Sequence, residues 1–384
     1  MISTNQNKLR VLFLITDLGK GGAERYLMDL CCEISKTKNI EFIIAALYDN
    51  NQNTEFTNNY PVKILDYKTF RLFGENENNA YKNLLESFKP HIIHTHRFLA
   101  EFLSSYYNHK DIRYVCHCHD KMVQFKNFSL STLLKKESIL HFIEKIYITR
   151  KKYKNTTTYF IANSSDTEKY FKKSLPSSMV KNVNLIYYGF NYNRFFNINN
   201  RRINPNQPIR LLNVGSFQYK KNQKFLIEVA KELKKENVPF EMNLIGDGEK
   251  FNMIKDLVIS NNLENEIFLR GICHNVEEWY KKCDLYIHSA LSEAFGLVFL
   301  EAMAAGLPVI TLDGKGNRDV IEEGRNGFML FKQDASLFSN TIKSLINKPE
   351  MYSNMSEYSK QYAARFDVTI KIKELIDFYY TISL

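Results

Sequence analysis

Short apolar runs alternate with longer stretches in which apolar residues recur every three or four positions. The runs at 11–16, 42–47, 62–65, 92–95, 114–118 and 159–162 read as buried strands, with helical patterns between most of them. A second series follows at 209–215, 244–248, 267–272, 285–287 and 309–310. Strands that alternate with helices predict an α/β protein whose parallel sheets are covered on both faces. Between the two series, residues 189–208 are rich in Asn and Arg and lack apolar periodicity. They divide the chain into a first domain, 1–190, a linker, 191–208, and a second domain, 209–365, with a helical tail, 366–384.

The stretch 284–310, DLYIHSALSEAFGLVFLEAMAAGLPVI, carries the strongest chemical signal. It predicts strand, loop and helix, the helix ending at Gly306 and Pro308, with another strand at Val309. Glu293 stands before the helix and Glu301 inside it, at most ~12 Å apart along a helical axis. Gly296 lies between them, where a backbone can approach a ligand closely. A helix start offers free N–H groups and partial positive charge to an anion. Two carboxylates around it suit a diphosphate with a hydroxyl-rich group at each end. An ordinary βαβ unit, with one Glu in solvent and the other a cap, would use the same residues.

EAFGLVFLEAMAAGLPVI resembles the E-x7-E signature of retaining glycosyltransferases with the GT-B fold, the family 4 or group 1 type. The resemblance implies two Rossmann-like domains with parallel sheets facing across a cleft, the last helix crossing back to the first domain. It implies that Glu293 faces the donor sugar and Glu301 holds the nucleotide ribose, with the amides of Phe295, Gly296 and Leu297 beside them. The loop DLGKGGAER resembles the family's first-domain glycine loop, which brings in Gly21, Gly22 and Arg25; Glu24 stands where a dinucleotide fingerprint needs a third glycine. In the second domain, Gly215, Ser216, Lys220 and Lys221 match the phosphate-binding loop, except that the family has Arg where this chain has Ser216. Lys220 or Arg25 would then compensate; the alternative is that Lys220 and Lys221 are solvated residues at a helix start. His119, at a strand end in VCHCHD, resembles the histidine that contacts the donor sugar, and His94 and His96 match an acceptor-side loop. Ile272 would flank the base.

The implied activity is transfer of a sugar from a nucleotide-diphosphate sugar, commonly a UDP-sugar, to a glycan or lipid-linked glycan. The family mechanism is front-face, with catalytic Glu293, His119 and Lys221 and with no metal or other cofactor. A glycosyltransferase-like partner subunit of weak activity is the alternative that Ser216 raises. A glycoside hydrolase needs its two carboxylates on either side of one bond, ~5 to 10 Å apart, and fits less well.

Composition narrows the partners. The 384 residues include 44% hydrophobic ones, enough for two cores, and carry a formal charge of +10. No nucleic-acid module is recognisable, so phosphorylated ligands or an anionic membrane account better for the charge. The segment 121–154 is basic and amphipathic. It reads either as a surface for the inner face of a cell membrane or as a domain helix with a solvated face. The opening residues predict a first strand, not a signal peptide, and a cytoplasmic protein. None of the six cysteines shows paired CxxC spacing. Cys116, His117, Cys118, His119 and Asp120 invite a metal reading, but a strand turns alternate side chains to opposite faces. A second ligand segment would be needed, and none stands out.

Overall fold

The structure is a computed structural model and describes residues 8–19, 21–68, 78–129, 135–199 and 202–383. It divides into two compact units, Met1–Gly189 with Val368–Leu384, and Phe190–Asp367.

The first unit is built on seven strands: β1 (Leu9–Ile15), β2 (Ile40–Ala46), β3 (Val62–Ile64), β4 (Ile92–His96), β5 (Arg113–Cys118), β6 (Thr157–Ala162) and β7 (Val183–Leu185). They pair in parallel in the order β3-β2-β1-β4-β5-β6-β7. Every connection must therefore cross over the sheet, which is why helices separate most of the strands. Strand alternation gives each face its own chemistry. Leu12, Leu14, Ile93, Tyr114, Cys116 and Cys118 point to one face and join apolar clusters with Leu103, Phe125, Phe160 and Phe171. Phe13, His94, His96 and His117 point to the other. There Tyr26 of the helix Gly22–Ser35 and Tyr379 of the final helix, Val368–Ser383, pack against them.

The second unit has six parallel strands: β8 (Ile209–Val214), β9 (Phe240–Ile245), β10 (Ile267–Gly271), β11 (Leu285–His288), β12 (Val309–Leu312) and β13 (Gly327–Leu330). Their order is β10-β9-β8-β11-β12-β13. β13 falls partly in the segment 323–327, whose sequence reads as a turn. It is a short edge strand with Phe328 and Met329 half-buried, so it lacks the apolar run that marks the others. Gly327 is required beside β12, because a Cβ there would lie 2.4 Å from the carbonyl oxygen of Val309.

Two sequence expectations need correction. Residues 191–208 are not a free linker. Phe195 is fully buried with its ring 5.5 Å from that of Tyr280, Arg194 pairs with Glu277 at 2.9 Å, and Ile203 joins the second core. Residues 200–201 of this stretch lie outside the described residues, as do 130–134 of the basic segment and Lys20 of the glycine loop. The basic segment also loses a member: the helix Lys136–Ile148 runs into a wide π turn, Thr149–Tyr153, that turns Lys152 inward. Its ammonium sits 2.8 Å from the Glu101 carboxylate, both side chains wholly buried, and donates to Ser104 Oγ at 2.6 Å. Arg150, Lys151 and Lys154 stay exposed. Among the described residues, no helix is long and apolar enough to cross a membrane.

Candidate active site

In each sheet the strand order reverses between two neighbours, β1/β4 and β8/β11, and the loops leaving such a pair splay apart to open a crevice at the carboxyl ends. In the second unit those loops carry Lys221 and Glu293. Lys221 Nζ donates to Glu293 Oε2 at 2.6 Å, and the same oxygen lies 3.2 Å from His288 Nε2. Behind them, Tyr286 Oη donates to the Val214 carbonyl at 3.2 Å and meets His288 Nδ1 at 3.3 Å. Burial alone would raise the Glu293 carboxyl, but Lys221 and His288 outweigh it and hold the group well below the usual carboxylate range. Burial lowers His288, against the pull of Glu293. The site therefore presents a permanent carboxylate with one ammonium on it. A lysine has three N–H donors, so Lys221 keeps capacity for an anion.

The backbone of Glu293 is tied down as firmly as its side chain. Its N–H donates to the Gly314 carbonyl at 2.9 Å, and its own carbonyl accepts from Gly316 N–H at 3.1 Å. The loop 313–319, flexible by sequence, is thus a clamp on the carboxylate. Gly316 makes it possible: a Cβ there would stand 2.1 Å from the Ala294 carbonyl oxygen. Gly316→Ala is expected to destabilise the second unit by about 1–3 kcal/mol and to lower donor affinity, as thermal melts and nucleotide titration would show. A variant indistinguishable from wild type in both would remove the clamp from the account.

The helix after Glu293 spans Leu297–Ala304, starting two residues later than its apolar pattern suggests. Gly296 precedes it in the left-handed region at φ 92°, and no side chain caps the start, which leaves its first amides to a ligand. Phe295 is itself core, its ring tilted against that of Phe366 at 5.9 Å, so only its backbone can serve a donor. Glu301 is 7% exposed, and one of its oxygens accepts from Tyr280 Oη at 2.9 Å. In the β8 loop, the stem of Lys221 passes 3.9 Å from where a Gly215 side chain would begin. Ser216 is half-buried, and Lys220 is exposed while its carbonyl accepts from Leu291 N–H at 2.8 Å. Ile272 is 67% exposed just beyond β10.

In the first unit, Gly21 caps the helix carrying Arg25, and Gly22 opens it. Glu24 is buried and pairs with Arg97 at 2.7 Å, so a side chain at Gly21 would collide with its carboxylate at 2.2 Å. His119 is half-buried; its Nε2 meets His96 Nδ1 at 2.8 Å and its Nδ1 meets Tyr188 Oη. A sugar can reach a ring nitrogen of His119 only by displacing one of these partners. His94 and His96, expected on an acceptor loop, are wholly buried inside the unit, so their side chains offer an acceptor nothing in this conformation.

Sequence reasoning singled out neither His288 nor Tyr280. His288 could have been found, because it ends an apolar strand on the same face as Tyr286, just before the Glu293 loop. Tyr280 gives no such signal. It lies in a charged, short helix, and only the fold brings it to Glu301.

Comparison with known proteins agrees with this architecture. The model for glycosyl transferases group 1 matches residues 195–362, and that for glycosyltransferase family 4 matches residues 20–194. An uncharacterized glycosyltransferase of Methanocaldococcus jannaschii is 27% identical over 342 residues, 87% of this chain and 88% of that protein. The poly(glycerol-phosphate) alpha-glucosyltransferase of Bacillus subtilis is 29% identical over 167 residues, 41% of this chain but only 25% of its own length. HepE of Anabaena, solved in complex with UDP and glucose, superposes with a TM-score of 0.74 at 20% identity, covering 97% of this chain and 100% of that one. The lipopolysaccharide outer core galactosyltransferase WaaB gives 0.75 at 16%, again over 97% and 100%. These likenesses carry the GT-B fold of two parallel-sheet, Rossmann-like domains. With the two family models accounting between them for residues 20–194 and 195–362, the chain belongs to the group 1 glycosyltransferases.

Proposed function

We propose that this glycosyltransferase moves a sugar, with retention of configuration, from a UDP-sugar to a hydroxyl of a glycan or lipid-linked glycan. The observation that carries the proposal is the half-buried Glu293–Lys221 pair beside an uncapped helix start at the strand-order reversal of the second sheet. In this reading Lys221 and the amides of Gly296 and Leu297 hold the diphosphate. Glu293, kept ionised and fixed by the 314–316 loop, orients the sugar hydroxyls, and Glu301 accepts from the ribose. The acceptor hydroxyl attacks from the side the diphosphate leaves, and the departing phosphate oxygen takes its proton. Charge grows on that oxygen as the glycosidic bond breaks, and fixed donors lower the barrier there. HepE, solved with UDP and glucose, supports the choice of nucleotide.

Incubation with a panel of nucleotide sugars, followed by proton NMR, tests the reading. Binding of one UDP-sugar and slow release of its sugar with the anomeric configuration kept is expected. If no nucleotide sugar binds, Ser216 in the usual Arg position decides the matter in favour of a non-catalytic partner subunit.

Transfer without a metal follows from the same site, since Lys221 and helix amides stand where a cation would. EDTA is expected to leave the rate within about twofold; loss restored by Mg2+ would overturn this, because Mg2+ seeks phosphate and carboxylate oxygens.

The proposal places the enzyme peripherally on the cytoplasmic face of a membrane. Val123, Phe128 and Ile143 are 58%, 48% and 43% exposed, near the exposed Lys126, Lys136, Arg150 and Lys151. Flotation with anionic vesicles should be lost in Ile143→Asp with Lys151→Glu. Retention of binding in that variant would sink the membrane assignment.

A further inference from the structure

The buried face of the first sheet holds a group of histidines to which the transfer proposed above assigns no step. β4 contributes His94 and His96, β5 contributes His117, and His119 follows just past its end, with His96 and His117 side by side in register. Strand alternation, which separates Cys116 and Cys118 from the histidines beside them, brings the histidines of both strands to one face. The second ligand segment that the sequence does not single out is thus the HIIHTH run of β4.

The hydrogen bonds form two chains. Tyr379 Oη meets His94 Nδ1, and His94 Nε2 meets His117 Nδ1 at 3.1 Å. Tyr188 Oη meets His119 Nδ1, and His119 Nε2 meets His96 Nδ1. Each chain ends on a nitrogen with nothing to bind. The Nε2 atoms of His96 and His117 are both buried without a partner. An unsatisfied buried polar atom is costly, and two on neighbouring strands call for a partner.

We infer that His94, His96 and His117 form a binding site for a divalent metal ion of the zinc type, joining β4 to β5. One ring nitrogen from each lies within 4.8 Å of the other two, and all three residues are buried. Zinc sits about 2.0–2.1 Å from imidazole nitrogens, which places tetrahedral ligands about 3.4 Å apart. Bringing three nitrogens that lie within 4.8 Å of one another to that separation needs shifts of about 1 Å. Neutral imidazoles with no carboxylate among the three select zinc-like ions over Mg2+ or Ca2+. Tyr379 supplies the outer support, holding His94 by its other nitrogen as metal-bound histidines usually are. The ion would lie within the first unit, whereas Lys221 and Glu293 belong to the second.

The test is a Co2+ titration of the metal-stripped full chain, read by visible absorption, with Zn2+ added to compete. One Co2+ per chain, with the visible bands of nitrogen ligation and displacement by Zn2+, is expected, along with a rise in melting temperature. His96→Gln and His117→Gln should each weaken binding at least 100-fold, and Tyr379→Phe about 10-fold. The last variant keeps the ring and its packing, so it remains informative if the histidine variants do not fold. Absence of Co2+ bands at millimolar metal overturns the site. So does a thiolate-to-cobalt band in the near ultraviolet, which would place the ion on cysteine, or binding unchanged in Tyr379→Phe and His96→Gln. None of these readouts depends on sugar transfer.

Discussion

Glu293→Gln is expected to lower kcat for sugar transfer about 10²–10³-fold, the loss typical of removing one preorganised polar group from a reacting centre. UDP alone should bind within about threefold of wild type, because the proposed nucleotide contacts lie on Glu301, Lys221 and the helix amides. Stability separates this effect from unfolding. The change leaves Lys221, 17% exposed, without its carboxylate and should cost about 2–3 kcal/mol at pH 7, somewhat less than for a fully buried pair. Because the Glu293 carboxyl is lower in the folded than in the unfolded protein, its stabilisation is complete above the unfolded value of 4.5. It fades as pH falls towards the folded one. The stability gap between Glu293→Gln and wild type should therefore be constant from pH 7 to about 5 and narrow below that. Melting temperatures across pH measure it. A full rate in Glu293→Gln would remove the carboxylate from the mechanism, and a gap that widens in acid would contradict the pairing with Lys221.

Lys152→Met should have the largest effect on stability, about 3–5 kcal/mol from the first unit, because it strands the Glu101 carboxylate in the interior. Glu101 then keeps the Thr95 hydroxyl, at 2.6 Å, but no cation to balance its charge among the contacts described. For a unit of this size the loss corresponds to a fall in melting temperature of about 10 °C. Glu101→Leu combined with Lys152→Met should recover most of it, since two apolar groups of similar volume need no partner. A single variant within about 0.5 kcal/mol of wild type would show that the pair is not desolvated. The same result bears on membrane binding: charge reversal at Lys152 would test folding, which is why Lys151 is the residue to change.

Much of this architecture was legible in the sequence because parallel sheets write their strands as apolar runs: eleven such runs, and a twelfth short one at 185–187 that meets the end of β7, fall on observed strands. The missing β13 has only half-buried residues in its middle. The Glu293 stretch was legible because its helix is closed by Gly306, in the left-handed region at φ 77°, and Pro308. What lay beyond the sequence was pairing at long range. Nothing near Lys152 announces Glu101, and nothing in the 313–319 loop announces that it grips Glu293. The histidines show the same limit from the other side: HTH and HCH each read as half a site, and only strand register brings them together.

The first unit is made of two pieces of chain, with the whole second unit between them. Tyr379, on the returning helix, reaches the buried His94 and packs against it edge-on. During synthesis the second unit is complete in sequence while the first still lacks the helix that covers its histidines. Residues 8–189 must then wait, with one face of their sheet partly open, until 368–383 have left the ribosome. A nascent chain halted near residue 367, with the second unit already complete in sequence, should therefore expose that face to chaperones.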